Sequence, residues 1–175
     1  MPDTSATVAV IRATVHRLGD EVSTDIHCSA KYNIGKPLDW LAAHAFEQLV
    51  PGFAQRVKPG DVIVAGKDFG INSSREEAVR VLLAMGVAAV VARSFGRQFY
   101  RNAINNGLPI AECDVSVIED GDLIEVDVAG GQVAVPARHF SASVPRLPPA
   151  VLGLIAAGGL LPFLKQHPDW SLPAA

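Results

Sequence analysis

The residues best equipped for chemistry are Ser73, Ser74 and Arg75, in the stretch Gly66-Lys-Asp-Phe-Gly-Ile-Asn-Ser-Ser-Arg-Glu-Glu77. A glycine-bearing loop and two hydroxyls lie there between an apolar strand and the first turn of a helix. Backbone N–H groups at a helix start are unpaired and the macrodipole is positive, so anions bind at such places. Ser73 and Ser74 add donors, and Arg75 adds a planar fork that grips a carboxylate at two points. A local reading stands beside this one: Ser74 with Glu77, or Ser73 with Glu76, fits the capping box S-x-x-E. The stretch is neither G-x-x-x-x-G-K-[ST] nor G-x-G-x-x-G, which leaves nucleotide binding without support.

The elements that must position these residues can be read from periodicity and punctuation. Residues 6–15 are rich in β-branched side chains and read as a strand, followed by a polar loop over 19–25. Residues 39–50 read as a helix with Leu41, Ala45, Phe46 and Leu49 on one face. A buried strand over 61–65 leads into the serine loop. The next helix opens at 73–77 and carries Ala78, Val81, Leu82 and Met85 at helical spacing. A second buried strand follows at 87–92, making a parallel strand-helix-strand unit, and a further helix covers 95–105. Beyond it, β segments are expected at 115–118, 123–128 and 132–135, with Asp120-Gly121 and Gly130-Gly131 as hairpin signals. The fold class is α/β: a mixed sheet with a central parallel unit and an antiparallel β portion, in a single domain over 1–175.

Composition excludes several function classes. The chain has 175 residues, a formal net charge of -3 and 19% charged residues, with Lys and Arg scattered, which argues against nucleic acid as the main partner. Two cysteines, Cys28 and Cys113, cannot alone hold a four-ligand zinc or an iron–sulfur cluster, and they read as buried small hydrophobes. His16, His27, His44, His139 and His167 show no metal-binding spacing. Phe95, Phe99 and Tyr100 read as core or partner interface. Residues 1–5 lack a signal-peptide pattern, so the expected location is cytoplasmic. The uncharged run 147–164 is broken by prolines and glycines. It reads as a short buried helix over 149–157, then a last amphipathic turn, and not as a membrane span.

The residues also resemble a known family. Phe69-Gly70-Ile71-Asn72-Ser73-Ser74-Arg75-Glu76 resembles the F-G-x-G-S-S-R-E loop of the aconitase superfamily swivel domain, found alone as the small subunit of 3-isopropylmalate dehydratase and its relatives. Gly19-Asp20, Thr24-Asp25-Ile26 and Ala30-Lys31-Tyr32 are similar to an early segment of that family. Ser94-Phe95, Phe99-Tyr100, Asn102 and Asn106-Gly107-Leu108-Pro109-Ile110 are similar to a later one, and Ala157-Gly158-Gly159-Leu160 to its end.

This resemblance implies a swivelling β/β/α domain working in a two-chain hydro-lyase that interconverts 2- and 3-hydroxy acids. It implies a large partner subunit holding a [4Fe-4S] cluster, with no metal held by this chain. Ser73 would be the catalytic base. Ser74, Arg75 and Asp25 would bind or orient substrate, and the loop after Tyr32 would set specificity. In that loop Ile34 suits an apolar branch and Lys36 a distal carboxylate. Homoaconitase-type and methylmalate-type subunits are the alternatives within the family, and a non-catalytic anion-binding module is the alternative outside it. Two departures stand out: Asn72 replaces the second loop glycine and Glu77 the usual His. Asn tolerates left-handed backbone angles, so the loop is expected to keep its shape.

Overall fold

Four consecutive strands run parallel, each joined to the next through helices, and the two central ones are apolar and buried on both faces. They are β1 (Ile11–Arg17), β2 (Val62–Ala65), β3 (Ala89–Ala92) and β4 (Ile110–Glu112). The computed structural model describes residues 8–28 and 35–169. The helices between the strands are α1 (Thr24–His27), α2 (Leu38–Ala43) and α3 (Phe53–Arg56), then α4 (Glu76–Ala84) and α5 (Arg97–Asn105). An antiparallel set follows: β5 (Leu123–Asp127), β6 (Gln132–Val135) and β7 (Phe140–Ser143). All seven strands form one sheet in the order β4-β3-β2-β1-β5-β6-β7. Two helices, α6 (Pro149–Ala156) and α7 (Leu160–Gln166), then pack against α5.

The hinge of this mixed sheet is β1. Its later residues pair in parallel with β2, Val15 opposite Val62, while its earlier residues pair antiparallel with β5, Ile11 opposite Val126. Side chains alternate faces along a strand, and the parallel strands accordingly feed two separate cores. Ile63, Ala65, Val90 and Ala92 pack beneath the helices with Leu41, Phe53, Val81, Leu82 and Phe99. Val62, Val64, Ala89 and Val91 face the other way, onto Ile124, Val126, Val133 and Val135 of the antiparallel strands.

Several expected elements shift. The first strand begins later than expected and extends to Arg17. The helix expected over 39–50 ends at Ala43, because the Phe46 N–H bonds to the His27 carbonyl (3.1 Å) and Phe46 turns left-handed (φ 61°). Its ring is thereby fully buried against Phe53, while Leu49 is left 42% exposed. Residues 115–118 form a turn, not a strand. Val115 and Ile118 are buried, but their carbonyls accept the Arg17 guanidinium in place of a neighbouring strand. Asp120-Gly121 therefore joins no hairpin, whereas Gly130-Gly131 does, with the Gly131 N–H bonded to the Asp127 carbonyl (2.8 Å). Strands β4 and β7 were not anticipated. The last turn is a seven-residue helix, α7, and α6 and α7 meet at 92°. No single helix among the described residues is long and apolar enough to cross a membrane.

Candidate active site

Loops leaving the carboxyl ends of β1, β2 and β3 meet at one edge of the sheet, where ligands bind in open α/β folds. The loop over 66–75 runs between the other two and is stitched to both. Toward β1, the Gly66 N–H bonds to the Gly19 carbonyl (3.0 Å), the Lys67 N–H to Asp20 Oδ1 (2.7 Å) and the Gly70 N–H to the Val22 carbonyl (2.9 Å). Toward β3, the Phe69 N–H reaches the Ser94 carbonyl (3.0 Å) and the Gly96 N–H reaches the Phe69 carbonyl (2.8 Å). Ser94 Oγ accepts the Asp68 N–H (2.8 Å) and donates to Asp68 Oδ1 (3.0 Å).

A buried aromatic side chain anchors the middle of the loop. Phe69 is fully buried and meets Phe99 edge to face at 5.1 Å, with Phe95 and Phe46 further along the same cluster. Each such pair adds about 1 kcal/mol beyond the area it buries. Gly70 follows at φ 81°, and a Cβ there would lie 2.3 Å from Phe99 Cγ, so only glycine lets the loop close over that ring. Asn72 is left-handed at φ 60°, the conformation expected for an Asn standing where the family loop has glycine.

The chain then delivers the two serines and the arginine just ahead of α4. The helix starts at Glu76, with Arg75 in extended geometry at the N-cap and no side-chain capping bond. Neither capping box forms, so the Ser73 and Ser74 hydroxyls are not spent on ending the helix. Ser73 is 4% exposed, and its Oγ accepts the Arg75 N–H at 3.4 Å. Ser74 and Arg75 lie at the surface. Asn102 of α5 steadies the segment through a bond from Nδ2 to the Ser74 carbonyl (3.3 Å). Glu76 and Glu77 occupy the first turn of α4, the favourable end of its dipole for acidic side chains.

Asp25 reaches the same place from α1. It is 6% exposed, and its Oδ1 accepts a hydrogen bond from Arg75 Nε at 3.1 Å. The structure thus brings Ser73, Arg75 and Asp25 together, with Ser74 adjacent. Beside Asp25, Ser23 Oγ and Thr24 Oγ1 are buried without a hydrogen-bond partner. Lys36 holds its ammonium 4.9 Å from the Trp40 ring centroid, and no hydrogen bond or ion pair among the described residues joins it to Ser73 or Arg75. Ile34 lies outside the described residues. A cleft of about 180 Å³ lies along α1, lined by Ile26, His27, Trp40 and His44 among others, with no residue of the serine loop in its wall. Sequence reasoning did not assign Asp20 or Ser94 a part in holding the loop. Their positions immediately beyond β1 and β3 were the available signal.

The chain's own sulfur ligands do not suit a cluster. Cys28 belongs to the helix-side core and Cys113 packs on the opposite core, so the sheet separates them. Burial pushes the Cys28 thiol well up, and burial followed by the nearby Asp114 charge pushes Cys113 up to about 11, so both stay protonated near neutral pH. Among the described residues no group of three or more His, Cys, Asp or Glu could hold a metal ion.

Comparison with known proteins agrees with this architecture. The Aconitase C-terminal domain family matches residues 42–112, from the end of α2 to the end of β4. The 3-isopropylmalate dehydratase small subunit of Halothermothrix orenii is 46% identical over 158 residues, 89% of this chain and 95% of that protein. The small subunit of Moorella thermoacetica is 45% identical over 160 residues, 90% of this chain and 96% of that protein. The crystal structure of 3-isopropylmalate dehydratase from Methanocaldococcus jannaschii superposes with a TM-score of 0.84 at 36% identity, covering 92% of this chain and 96% of that one. With identity and coverage this high across nearly the whole fold, the chain belongs to the 3-isopropylmalate dehydratase small-subunit family.

Proposed function

We propose that this chain is the base-bearing half of a two-chain hydro-lyase that interconverts 3-isopropylmalate and 2-isopropylmalate by removing and re-adding water. The observation that carries the reading is Ser73. Its hydroxyl is buried just ahead of the α4 N-terminus, takes no part in capping, and accepts the backbone N–H of Arg75, whose guanidinium is held by Asp25.

Ser73 Oγ removes the proton α to a substrate carboxylate. A serine oxygen is a feeble base unless its anion is stabilised, and the N–H groups of the first turn of α4 with the nearby Arg75 supply that stabilisation. Arg75 binds a substrate carboxylate, Ser74 and the 73–75 backbone hold the substrate, and Asp25 completes the set beside Arg75. Ile34 takes the apolar branch, and Lys36 takes a distal carboxylate where a substrate has one. A [4Fe-4S] cluster in a large partner subunit supplies Lewis acidity toward the leaving hydroxyl, and every step assigned to this chain is binding or proton transfer.

Anaerobic co-expression with the cluster-bearing large subunit tests this. Hydration of isopropylmaleate is expected to exceed that of cis-homoaconitate and citraconate. Ser73→Ala is expected to lower kcat by at least ~10²-fold, the usual lower bound for losing a general base, while the two chains still co-purify. A near-normal kcat in that variant would sink the base assignment. Preference for cis-homoaconitate or citraconate would redirect the substrate assignment, and turnover by the isolated chain without iron would refute the two-chain mechanism.

A further inference from the structure

Arg75 is fixed at two points and uncommitted at a third. Its backbone N–H rests on Ser73 Oγ, and its Nε donates to Asp25 Oδ1 at 3.1 Å. No other hydrogen bond or ion pair holds the guanidinium among the described residues, and the side chain is 48% exposed against 8% for Asp25. A carboxylate as buried as Asp25 is costly without a compensating charge. Part of the compensation comes from a half-exposed guanidinium, gripped by its inner nitrogen. A guanidinium is planar, so fixing Nε fixes the plane and direction of the whole group. Among the described residues the Nη1 and Nη2 edge, the one that forks onto a carboxylate, takes no partner. The two residues come from different connections, Asp25 from α1 after β1 and Arg75 from the loop after β2, so the pair forms only when those strands lie side by side.

We propose that Asp25 is a positioning residue that acts on the substrate only through Arg75: it holds the guanidinium by Nε so that the Nη edge is presented, pre-aligned, to a substrate carboxylate. This rests on the reading of Arg75 as the carboxylate-binding residue. It removes Asp25 from direct substrate contact, and the residue it anchors also gives its backbone N–H to Ser73 Oγ.

A double-mutant cycle in the reconstituted two-chain enzyme tests the coupling. Asp25→Ala is expected to raise KM about tenfold or more with kcat changed less than about threefold, since a misaligned binding group costs affinity before it costs chemistry. Asp25→Asn keeps the accepting oxygen and is expected to fall between wild type and Asp25→Ala, which keeps the test readable should Asp25→Ala fail to fold. In an Arg75→Ala background, removing Asp25 is expected to raise KM by no more than about twofold further. An equal rise in both backgrounds would overturn the proposal and make Asp25 a direct substrate contact. An unchanged KM in Asp25→Ala with only a lowered Tm would reduce the pair to a structural ion pair. An unchanged KM in Arg75→Ala would remove the carboxylate-binding assignment itself, and this proposal with it, whereas a raised KM there with no effect of Asp25 would remove only this proposal.

Discussion

At the amino end of β2, Asp61 is shut in: Oδ2 takes His16 Nε2 at 2.7 Å and the Lys58 N–H at 2.9 Å, and the His16 and Asp61 side chains are nearly inaccessible. Phe53 packs edge-on against the His16 ring at 5.9 Å. At the carboxyl end of the same strands, Asp25 is equally buried but leans on a guanidinium that is 48% exposed. Each pair links the β1 side to the β2 side: His16 lies in β1 and Asp61 just before β2, while Asp25 lies in α1 after β1 and Arg75 follows β2. The closed pair consumes its hydrogen-bonding capacity internally and can only brace the sheet. The open pair leaves donors over, and a surplus of oriented donors is what binding requires.

The contrast can be broken from either end. Gly70→Ala attacks the open end, since its Cβ would collide with Phe99 and strain a left-handed backbone. It is expected to lower kcat/KM by at least ~10²-fold, as a displacement of about 1 Å can do. A variant that folds, binds its partner and keeps near-wild-type turnover would show that the loop needs no such fit.

Asp61→Asn attacks the closed end. Leaving buried partners poorly satisfied is expected to cost about 2 kcal/mol, or roughly 4–8 °C in Tm for a chain of this size, with KM unchanged. Altered KM would mean that the two ends communicate. Burial alone would raise the Asp61 pKa, but the hydrogen bonds from His16 and the Lys58 N–H outweigh it and hold the carboxyl below its ordinary 3.8. The folded state therefore releases this proton more readily than the unfolded chain. The stabilisation is full above pH 3.8 and disappears as the pH falls through the lower folded value. The wild-type Tm should consequently fall more steeply than that of Asp61→Asn as pH is lowered through this range.

The smallest effect sharpens the comparison. Cys28 lies just past Asp25 at the open end and is 1% exposed with its thiol pushed well up. Mass-spectrometric labelling with iodoacetamide at pH 7.5 is expected to leave it unmodified over the period in which the denatured chain labels fully. Rapid labelling of the native chain would show that the open end opens spontaneously.

The parallel half was legible in the sequence because its signals are local. Pro59-Gly60, Gly86 and Asn106-Gly107 punctuate strands and helices whose periods are clear, and β2, α4, β3 and α5 fall where those signals put them. The misplacements arise where distant groups decide. Phe46 leaves the helix because His27 offers it a carbonyl, and residues 115–118 miss the sheet because Arg17 claims theirs. The serine loop was legible as a candidate site but not as a geometry. Whether Ser73 and Ser74 cap a helix cannot be read from S-x-x-E, since it depends on where the Phe69 anchor and the Asn102 bond stop the chain. The contact of Asp25 with Arg75 spans two connections and exists only once β1 and β2 are neighbours.

That adjacency also bears on how the molecule is made. β1, which precedes the other six strands of the sheet in the chain, ends up in its middle, its flanks closed by residues 62–64 on one side and 123–126 on the other. During synthesis the first flank can pair early, while the second remains a bare strand edge until β5 emerges, and such an edge invites pairing with other chains. The serine loop, Arg75 and its partner Asp25 all belong to the flank that can close first. A nascent chain can thus assemble the candidate site while still needing protection along the other side of β1.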